Sequence, residues 1–320
     1  MMKHLFLFTC LLTALWAGLV VAEVTGSGDA GASQPTHREG KSLCVSPQTK
    51  VRLMSCLCLD PNGNVVVCDG TAGLVKVVSP DDKLVATWKP GFAPTAIDVT
   101  ADGAVYVGGT GRVAKLDLTG AILKTARAGQ DGFPKGQVTS ISAAEKDVFV
   151  TARGNSGYAV YRFDRDLTGG KEVVTGLRGC CGQMDIKFHD GRLYVAENSR
   201  KRIVIYDRDG KTLGQWGRTD RTDSVAFGSC CNPMNICFGP GGELYTSESS
   251  VGRVMCFKAD GTYLRTVGKM ETAKGCTRVT VAVSRDGTRA YVLDDRKNVV
   301  HVLAGPAPKT ASATTQPAAT

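Results

Sequence analysis

Two pairs of adjacent cysteines, each placed just before an apolar strand pattern, are the residues of this chain most able to do chemistry. Cys180 and Cys181 lie in GCCGQMDIKF, and Cys230 and Cys231 lie in GSCCNPMNICF. Cys276 occupies a similar setting in GCTRVTVAV. Thiols can pair as disulfides, and thiolates can bind soft metals such as Cu(I) and Zn(II) or an iron–sulfur cluster.

The N-terminus indicates the redox environment of these thiols. MMKH is positively charged, LFLFTCLLTALWAGLVVA is apolar, and Val20 and Ala22 suit the −3 and −1 positions of a signal-peptidase site before Glu23. We therefore expect residues 1–22 to be a signal peptide and the mature protein to be secreted or periplasmic, with no later membrane span. Without Cys10, twelve cysteines become eleven (12 − 1 = 11), so at least one thiol lacks an intramolecular partner.

Three interpretations of the paired cysteines stay open. An oxidising compartment favours disulfides between the two pairs, with a soft metal bound by thiolates as the candidate cofactor and unpaired thiols as the third choice. Met184 and Met234 could add thioether ligands, although core packing explains both residues as well. The spacing lacks the paired C-x-x-C pattern of many metal sites, and the leader lacks a twin-arginine motif for exporting a preassembled cluster.

Another group of cysteines lies within strand patterns. Cys56 and Cys58 alternate along LMSCLCLD, and Cys68, Cys237 and Cys256 also fall inside strands. Buried cysteines behave as small apolar side chains. We therefore expect packing roles for these five.

The sequence repeats with a period of about 40 to 50 residues. This repeat supplies the strands and turns that must position the two cysteine pairs and Cys276. Each copy has an alternating apolar strand, a turn, a second and a third strand, and an Asp/Lys-x-x-Gly turn into a fourth strand. The second-strand patterns start at Gly63, Gly103, Lys146, Gly191, Gly242 and Gly287. Six such units predict an all-β fold, namely a six-bladed β-propeller built from four-stranded antiparallel blades.

Composition predicts the domain limits. The propeller is expected at residues 42–303, between a disordered leader at 23–41 and a disordered Pro/Ala/Thr-rich tail at 304–320. Residues 279–303 provide only three strands for the last unit. We therefore expect the N-terminal segment near Leu43 to Ser46 to supply the fourth strand and close the ring.

Two units, GRLYVAENSRKRIVIYDRDGKTLGQWG from Gly191 and GELYTSESSVGRVMCFKADGTYLRTVG from Gly242, resemble NHL repeats. The Cys-Cys-Asn-Pro sequence is similar to that of a group of secreted bacterial NHL proteins. The resemblance covers about residues 44–303 and implies a six-bladed propeller with a habit of binding. It implies no particular reaction, since this fold hosts scaffolds, lyases and lactonases alike.

Propeller topology brings the starts of the inner strands and the ends of the second strands to one face, called the top face here. That face should carry the five cysteines Cys180, Cys181, Cys230, Cys231 and Cys276. It should also carry a ligand-binding rim of Asp69, Arg153, Asp185, Glu197, Asn235, Glu248 and Asp295. Four of these, Asp69, Glu197, Asn235 and Glu248, could hold a divalent cation as in lactonase-type propellers, but their spacing fits no known motif. Solvent-exposed acidic strand ends are the plainer interpretation.

These features favour binding over catalysis. We expect a binding or scaffold module whose rim takes a protein, peptide or glycan. The alternatives are a metal- or redox-active protein using the five cysteines and, after it, a divalent-cation-dependent lyase or hydrolase. The formal charge of 39 − 30 = +9 is scattered, so nucleic acid is not an expected partner. The four histidines fall away from the top face, which excludes a histidine-ligated centre and a Ser-His-Asp triad there.

Overall fold

The computed structural model describes residues 34–43, 54–154, 156–220 and 222–306. Across these ranges, 24 strands form six four-stranded antiparallel sheets, and the one helical element is a 3-10 turn at Asn198–Arg200. The six innermost strands contact one another in sequence, and the last contacts the first, so the sheets close a ring. The predicted six-bladed β-propeller is confirmed. The predicted signal peptide, Cys10 and Cys44 lie outside the described residues.

The strands are numbered in chain order and the blades follow that order. Blade one contains β2 (Met54–Leu59), β3 (Val65–Asp69), β4 (Leu74–Val78) and β5 (Leu84–Trp88). Blade two contains β6 (Ala96–Val99), β7 (Val105–Gly109), β8 (Arg112–Leu116) and β9 (Ile122–Arg127). Blade three contains β10 (Val138–Ala143), β11 (Asp147–Gly154), β12 (Gly157–Asp164) and β13 (Lys171–Leu177).

The remaining blades carry the cysteine pairs and close the ring. Blade four contains β14 (Asp185–His189), β15 (Arg192–Glu197), β16 (Arg202–Asp207) and β17 (Thr212–Trp216). Blade five contains β18 (Asn235–Phe238), β19 (Leu244–Glu248), β20 (Arg253–Phe257) and β21 (Tyr263–Lys269). Blade six contains β22 (Val279–Val283), β23 (Arg289–Asp294), β24 (Val299–Ala304) and β1 (Arg38–Glu39).

Burial falls from the axis outward and explains the residue choice in each strand. The second strands are buried except at the ends of some of them, and β3 with VVVCD is buried throughout, because both faces pack against neighbouring blades. Fourth strands lie at the periphery, where Leu84 and Leu123 are 62% and 59% exposed. The turns between the first two strands are fixed by side chains: Asp60 Oδ1 accepts hydrogen bonds from the backbone N–H groups of Asn62 and Asn64, each at 2.8 Å.

The closing strand lies earlier than the sequence indicated. β1 supplies the fourth strand of blade six, as expected, but it is Arg38–Glu39, within the segment predicted to be a disordered leader. Of the predicted segment, Leu43 forms a β-bridge with Val300, and residues 44–46 lie outside the described ranges. The His37 N–H also donates to Val267 O of blade five at 2.7 Å. β1 is polar and is held by backbone hydrogen bonds, which need no apolar side chains. Its composition therefore did not indicate a strand.

Polar side chains tie neighbouring inner strands together around the axis. In each case an oxygen accepts a hydrogen bond from a backbone N–H of the next blade at 2.7 to 2.9 Å. The four pairs are Asp98 with Ala143, Ser142 with Phe188, Asp185 with Ile236, and Asn235 with Val281. Charged or polar residues at these inner-strand positions therefore have a structural role between blades.

Candidate metal centre

Five cysteine sulfurs from three consecutive blades meet on the top face. The Cys231 Sγ lies 2.7 Å from that of Cys180, 3.0 Å from Cys230, 3.2 Å from Cys181 and 3.8 Å from Cys276. The sulfurs of Cys180 and Cys181 are 3.7 Å apart. The structure thus brings together all five cysteines that the sequence placed on one face, with Cys231 in contact with each of the others.

No disulfide occurs among the described cysteines, all ten of which are free thiols. The closest sulfur pair is separated by 2.7 Å, whereas a disulfide bond is about 2.05 Å long. The disulfides favoured by the sequence are therefore not seen in these parts of the chain.

The backbone turns both members of each pair toward the same centre. Cys181 and Cys231 have φ values of 55° and 66°, in the left-handed region that non-glycine residues rarely adopt. Adjacent side chains on an extended backbone would point in opposite directions. A left-handed residue of this kind costs about 1 kcal/mol or more, and such strain concentrates at functional sites. Its repetition at two equivalent positions suggests that bringing the sulfurs together is what the local structure achieves.

A buried amide anchors the loop of blade four. Asn198 Oδ1 accepts a hydrogen bond from the Cys180 N–H at 2.7 Å, and Asn198 Nδ2 donates to Cys180 O at 3.3 Å. The same Nδ2 group lies 3.7 Å from Met234 Sδ, so this methionine borders the loop that carries Cys180. Asn198 is fully buried, and these bonds fix the position of the first cysteine pair.

A second buried amide links the loops of blades five and six. Asn232 Oδ1 accepts a hydrogen bond from the Ser249 N–H at 2.8 Å, and Asn232 Nδ2 donates to Ser229 Oγ at 2.6 Å. Ser249 Oγ in turn accepts from the Thr277 N–H, next to Cys276, at 2.9 Å. The sequence pattern had indicated no role for Asn198, Asn232 or Ser249. For Asn232 the sequence did hold one indication, namely that this residue directly follows the second cysteine pair.

The thiols differ in their acidity. Burial, followed by hydrogen bonds with neighbouring thiols, raises the pKa of Cys231 above its ordinary value. Burial also raises the pKa of Cys181 to about 11, against the lowering effect of its hydrogen bond with Cys231. The hydrogen bond from Cys231 lowers the pKa of Cys230, with smaller contributions from Cys180, Cys276 and the positive charge of Lys201. Cys230 therefore ionises more easily than Cys181 and Cys231.

The sulfur positions form two groups with metal-ligand geometry. The ligand atoms of Cys180, Cys230 and Cys231 all lie within 4.8 Å of one another, as do those of Cys181, Cys231 and Cys276. Thiolates on one tetrahedral zinc lie about 3.8 Å apart, because Zn–S bonds are about 2.3 Å long. Cys180, Cys181 and Cys231 also lie within 3.7 Å of one another. Apart from these five cysteines, no three His, Cys, Asp or Glu side chains of the described ranges come this close, so the three carboxylates considered for a divalent cation do not form such a group.

The two methionines have separate surroundings. Met234 is fully buried in the apolar cluster that contains Cys231 and adjoins Cys180 and Cys276. Met184 is fully buried in the apolar cluster between blades three and four. Core packing accounts for both side chains, and Met234 is the one that borders the cysteine group.

The rim carboxylates are buried and paired, so the expectation that they are solvent-exposed is wrong. Asp69, Glu197, Glu248 and Asp295 are each at most 2% exposed. Their basic partners and the N···O distances are Lys76 at 3.1 Å, Arg202 at 2.6 Å, Arg253 at 2.7 Å and Arg278 at 3.0 Å, respectively. Glu197 also pairs with Arg200 at 2.7 Å. Burial nevertheless raises the pKa of Glu248 to about 7, against the opposing effect of Arg253.

The sequence contained a signal for two of these ion pairs. Glu197 and Arg202 face each other across β15 and β16, and Glu248 and Arg253 do the same across β19 and β20. In both blades the arginine follows the glutamate by five residues. Each pair thus spans the turn between the second and third strands, which explains why these residue types recur there.

The other three rim candidates lie elsewhere. Asp185 and Asn235 are buried in the axial channel, where they accept the inter-blade hydrogen bonds described above. Burial raises the pKa of Asp185 to about 6. Arg153 is the one residue of the predicted rim that is exposed. The structure therefore does not gather the seven predicted rim residues into one exposed surface.

The axial channel holds a cavity of about 230 Å³ lined by inner-strand residues. Lys187 Nζ lies there, 3.1 Å from Asp98 Oδ1. Burial opposes the charge of Lys187, but Asp98 and Asp185 outweigh it and raise the pKa of the amine. The cavity is thus lined by a network of charged side chains. None of the five top-face cysteines lines it.

No protein-family model matches the sequence, and no curated protein matches it either. Solved structures do resemble the fold. A hydrazine synthase from Kuenenia stuttgartiensis aligns with a TM-score of 0.53 and 15% identity over 76% of this chain and 74% of that chain. A streptogramin B lyase aligns with a TM-score of 0.59 and 12% identity over 86% and 100% of the two chains, respectively.

A gluconolactonase from Xanthomonas campestris aligns with a TM-score of 0.61 and 15% identity over 89% of this chain and 100% of that chain. At such identities the likeness concerns the fold alone. The comparisons therefore support the propeller architecture, and the function has to be argued from the site.

Proposed function

We propose that this protein is an exported, NHL-type propeller that binds a soft metal ion through the five cysteines of its top face. The observation that carries this proposal is the convergence of five sulfurs from three blades, with Cys231 within 3.8 Å of each of the others. Thiolates are the protein ligands that favour soft ions such as Cu(I) and Zn(II). The metal-binding alternative from the sequence is therefore the function that the site supports best.

The surroundings of the cysteines support ligation rather than packing. Two left-handed cysteines, Cys181 and Cys231, and two buried amides, Asn198 and Asn232, hold the loops in place. Fixing ligands before the ion arrives reduces the entropy lost on binding. Cys181 and Cys230 are exposed, so an ion could reach the site from solvent.

Binding of a protein, peptide or glycan at the rim stays a prediction with weaker support. Six of its seven residues are buried, and the carboxylates among them at the second-strand ends already form ion pairs within the chain. The same ion pairs weaken the proposal of a divalent-cation-dependent lyase or hydrolase, because they occupy the oxygens that a cation would need.

Competition with a chromophoric Cu(I) chelator tests the proposal. The mature protein, reduced and kept free of oxygen, should withdraw Cu(I) from the chelator. A variant with serine at all five top-face cysteines should not, and Cys256→Ala, which changes a buried strand cysteine, should behave as the parent. A parallel titration with Zn(II) and a zinc indicator covers the other soft ion.

Circular dichroism establishes that the variants keep their β structure. The proposal fails if the reduced protein withdraws neither ion, or if the five-serine variant binds as tightly as the parent.

A further inference from the structure

We infer that the top-face cysteines hold two Cu(I) ions, bridged by the thiolate of Cys231; this inference rests on the proposed function. The first observation is that the two groups with ligand geometry share one member. Cys180, Cys230 and Cys231 form one group, and Cys181, Cys231 and Cys276 form the other. A thiolate sulfur has lone pairs enough to bind two metal ions at once. One shared and four terminal sulfurs are the ligands of a two-metal thiolate centre.

The position of Cys231 suits a bridging ligand. It is the one residue of the five that contacts all four others, at 2.7 to 3.8 Å, and it is 0% exposed. Cys180 and Cys181, one from each group, lie 3.7 Å apart, so the two groups also contact each other outside the shared residue. Two ions bound in these groups would therefore share Cys231 and lie next to each other.

The number of ligands in each group favours Cu(I) over Zn(II). Each group offers three sulfurs, and no imidazole or carboxylate of the described residues joins either group. Structural zinc sites take four protein ligands, so a zinc ion bound by either group alone would be one ligand short. Cu(I) is a soft ion with a filled d shell that is stable with three thiolates. A cubane iron–sulfur cluster would lie between its cysteines and hold their sulfurs farther apart than 4.8 Å.

Exposure follows the same division into two groups. Each group contains the buried Cys231, one half-buried cysteine and one exposed cysteine. The exposed members are Cys230 in one group and Cys181 in the other. Each ion thus has its own solvent-facing thiol through which it can be acquired, while the shared ligand stays shielded.

A positive side chain near the site offsets part of its charge. Two Cu(I) ions with five thiolates carry a net charge of 2 − 5 = −3. The positive charge of Lys201 favours the ionised form of Cys230 and so lowers the cost of gathering several thiolates in one place.

Native mass spectrometry and X-ray absorption of the mature protein loaded with Cu(I) test the inference. We expect two copper ions per chain and a copper–copper scattering path. Cys276→Ser and Cys180→Ser each remove a terminal ligand from one group and should each lower the stoichiometry to one. Cys231→Ser removes the shared ligand and should weaken copper binding at least 100-fold and abolish the copper–copper path.

The outcomes separate this inference from the proposed function. One copper ion per chain, or two without a copper–copper path, overturns the bridged pair while soft-metal binding stands. Binding of zinc in preference to Cu(I) does the same. Binding of neither ion overturns both. The copper–copper path of the parent protein decides the matter even if Cys231→Ser fails to fold.

Discussion

The ten described cysteines divide into two sets of five that differ in their place in the blade and in their contacts with other sulfurs. The loop set is the top-face group centred on Cys231. The strand set contains Cys56, Cys58, Cys68, Cys237 and Cys256. The loop sulfurs meet at one centre and two of the five residues are exposed, whereas the strand residues are buried or nearly so within apolar clusters between blades.

Burial controls the acidity of the strand set. It raises the pKa of Cys56 and of Cys256 to about 11 and that of Cys237 to about 12, and it raises the pKa of Cys58 and Cys68 well above the ordinary value. These thiols therefore stay protonated at neutral pH and act as small apolar side chains. In the loop set, burial likewise raises the pKa of Cys181 and Cys231, whereas the hydrogen bond from Cys231 lowers the pKa of Cys230.

The comparison shows that residue type alone does not assign a role to cysteine in this chain. Both sets sit on the same propeller, in the same sequence repeat. A loop at the top of a blade lies near the loops of the adjacent blades, while a strand position faces a neighbouring sheet. Location in the blade thus separates candidate ligands from core residues.

The largest expected effect is the pH dependence of Cu(I) binding by the loop set. The pKa of Cys181 and that of Cys231 lie above pH 8, so both thiols are protonated between pH 8 and pH 6 and must release protons to bind copper. Affinity should therefore fall on acidification, by about tenfold per pH unit for each net proton released. Chelator competition at pH 8, 7 and 6 measures this. An affinity that does not change with pH would remove the loop thiols as ligands.

Alkylation rates should separate the two sets next. In the reduced, metal-free protein, iodoacetamide should modify Cys230 at least about 100-fold faster than Cys68, because Cys230 is exposed and its pKa is lowered while Cys68 is buried and its pKa is raised. Peptide mass mapping over time gives both rates. Cys230→Ser should eliminate the fastest phase, and equal labelling of Cys68 without denaturant would contradict the division.

A smaller effect is expected on stability from the strand set. Cys68 is 0% exposed in the apolar cluster between blades one and two. Cys68→Ser places a hydroxyl there and should lower the free energy of unfolding by about 1 to 3 kcal/mol, while leaving copper stoichiometry unchanged. Urea unfolding followed by fluorescence measures the first quantity. Loss of copper from this variant would show that the two sets are not independent.

The smallest effect should come from the loop set in the same stability assay. Cys181 is exposed, so Cys181→Ser should change the free energy of unfolding of the metal-free protein by no more than about 0.5 kcal/mol. Its copper stoichiometry should nevertheless fall, opposite to the behaviour of Cys68→Ser. A destabilisation as large as that of Cys68→Ser would assign Cys181 to the core.

The fold and the convergence of the five loop cysteines could both be predicted from the sequence for one reason. The repeat specifies six similar units, and six units on a ring bring equivalent loop positions to one face. Cys180, Cys231 and Cys276 could therefore be placed together although they are far apart in the chain. The same reasoning placed Glu197 and Glu248 on the rim, but it could not tell that Arg202 and Arg253 cover them.

The sequence alone determined the architecture, because alternation and turn residues repeat with a constant period and each blade folds through local contacts. Tertiary structure decided three further points. It placed the closing strand at Arg38–Glu39, where backbone hydrogen bonds need no apolar side chains. It buried the rim carboxylates against basic residues, and it put Cys231 at the centre of four other thiols. These outcomes depend on distances between residues of different strands and blades, which no period in the sequence encodes.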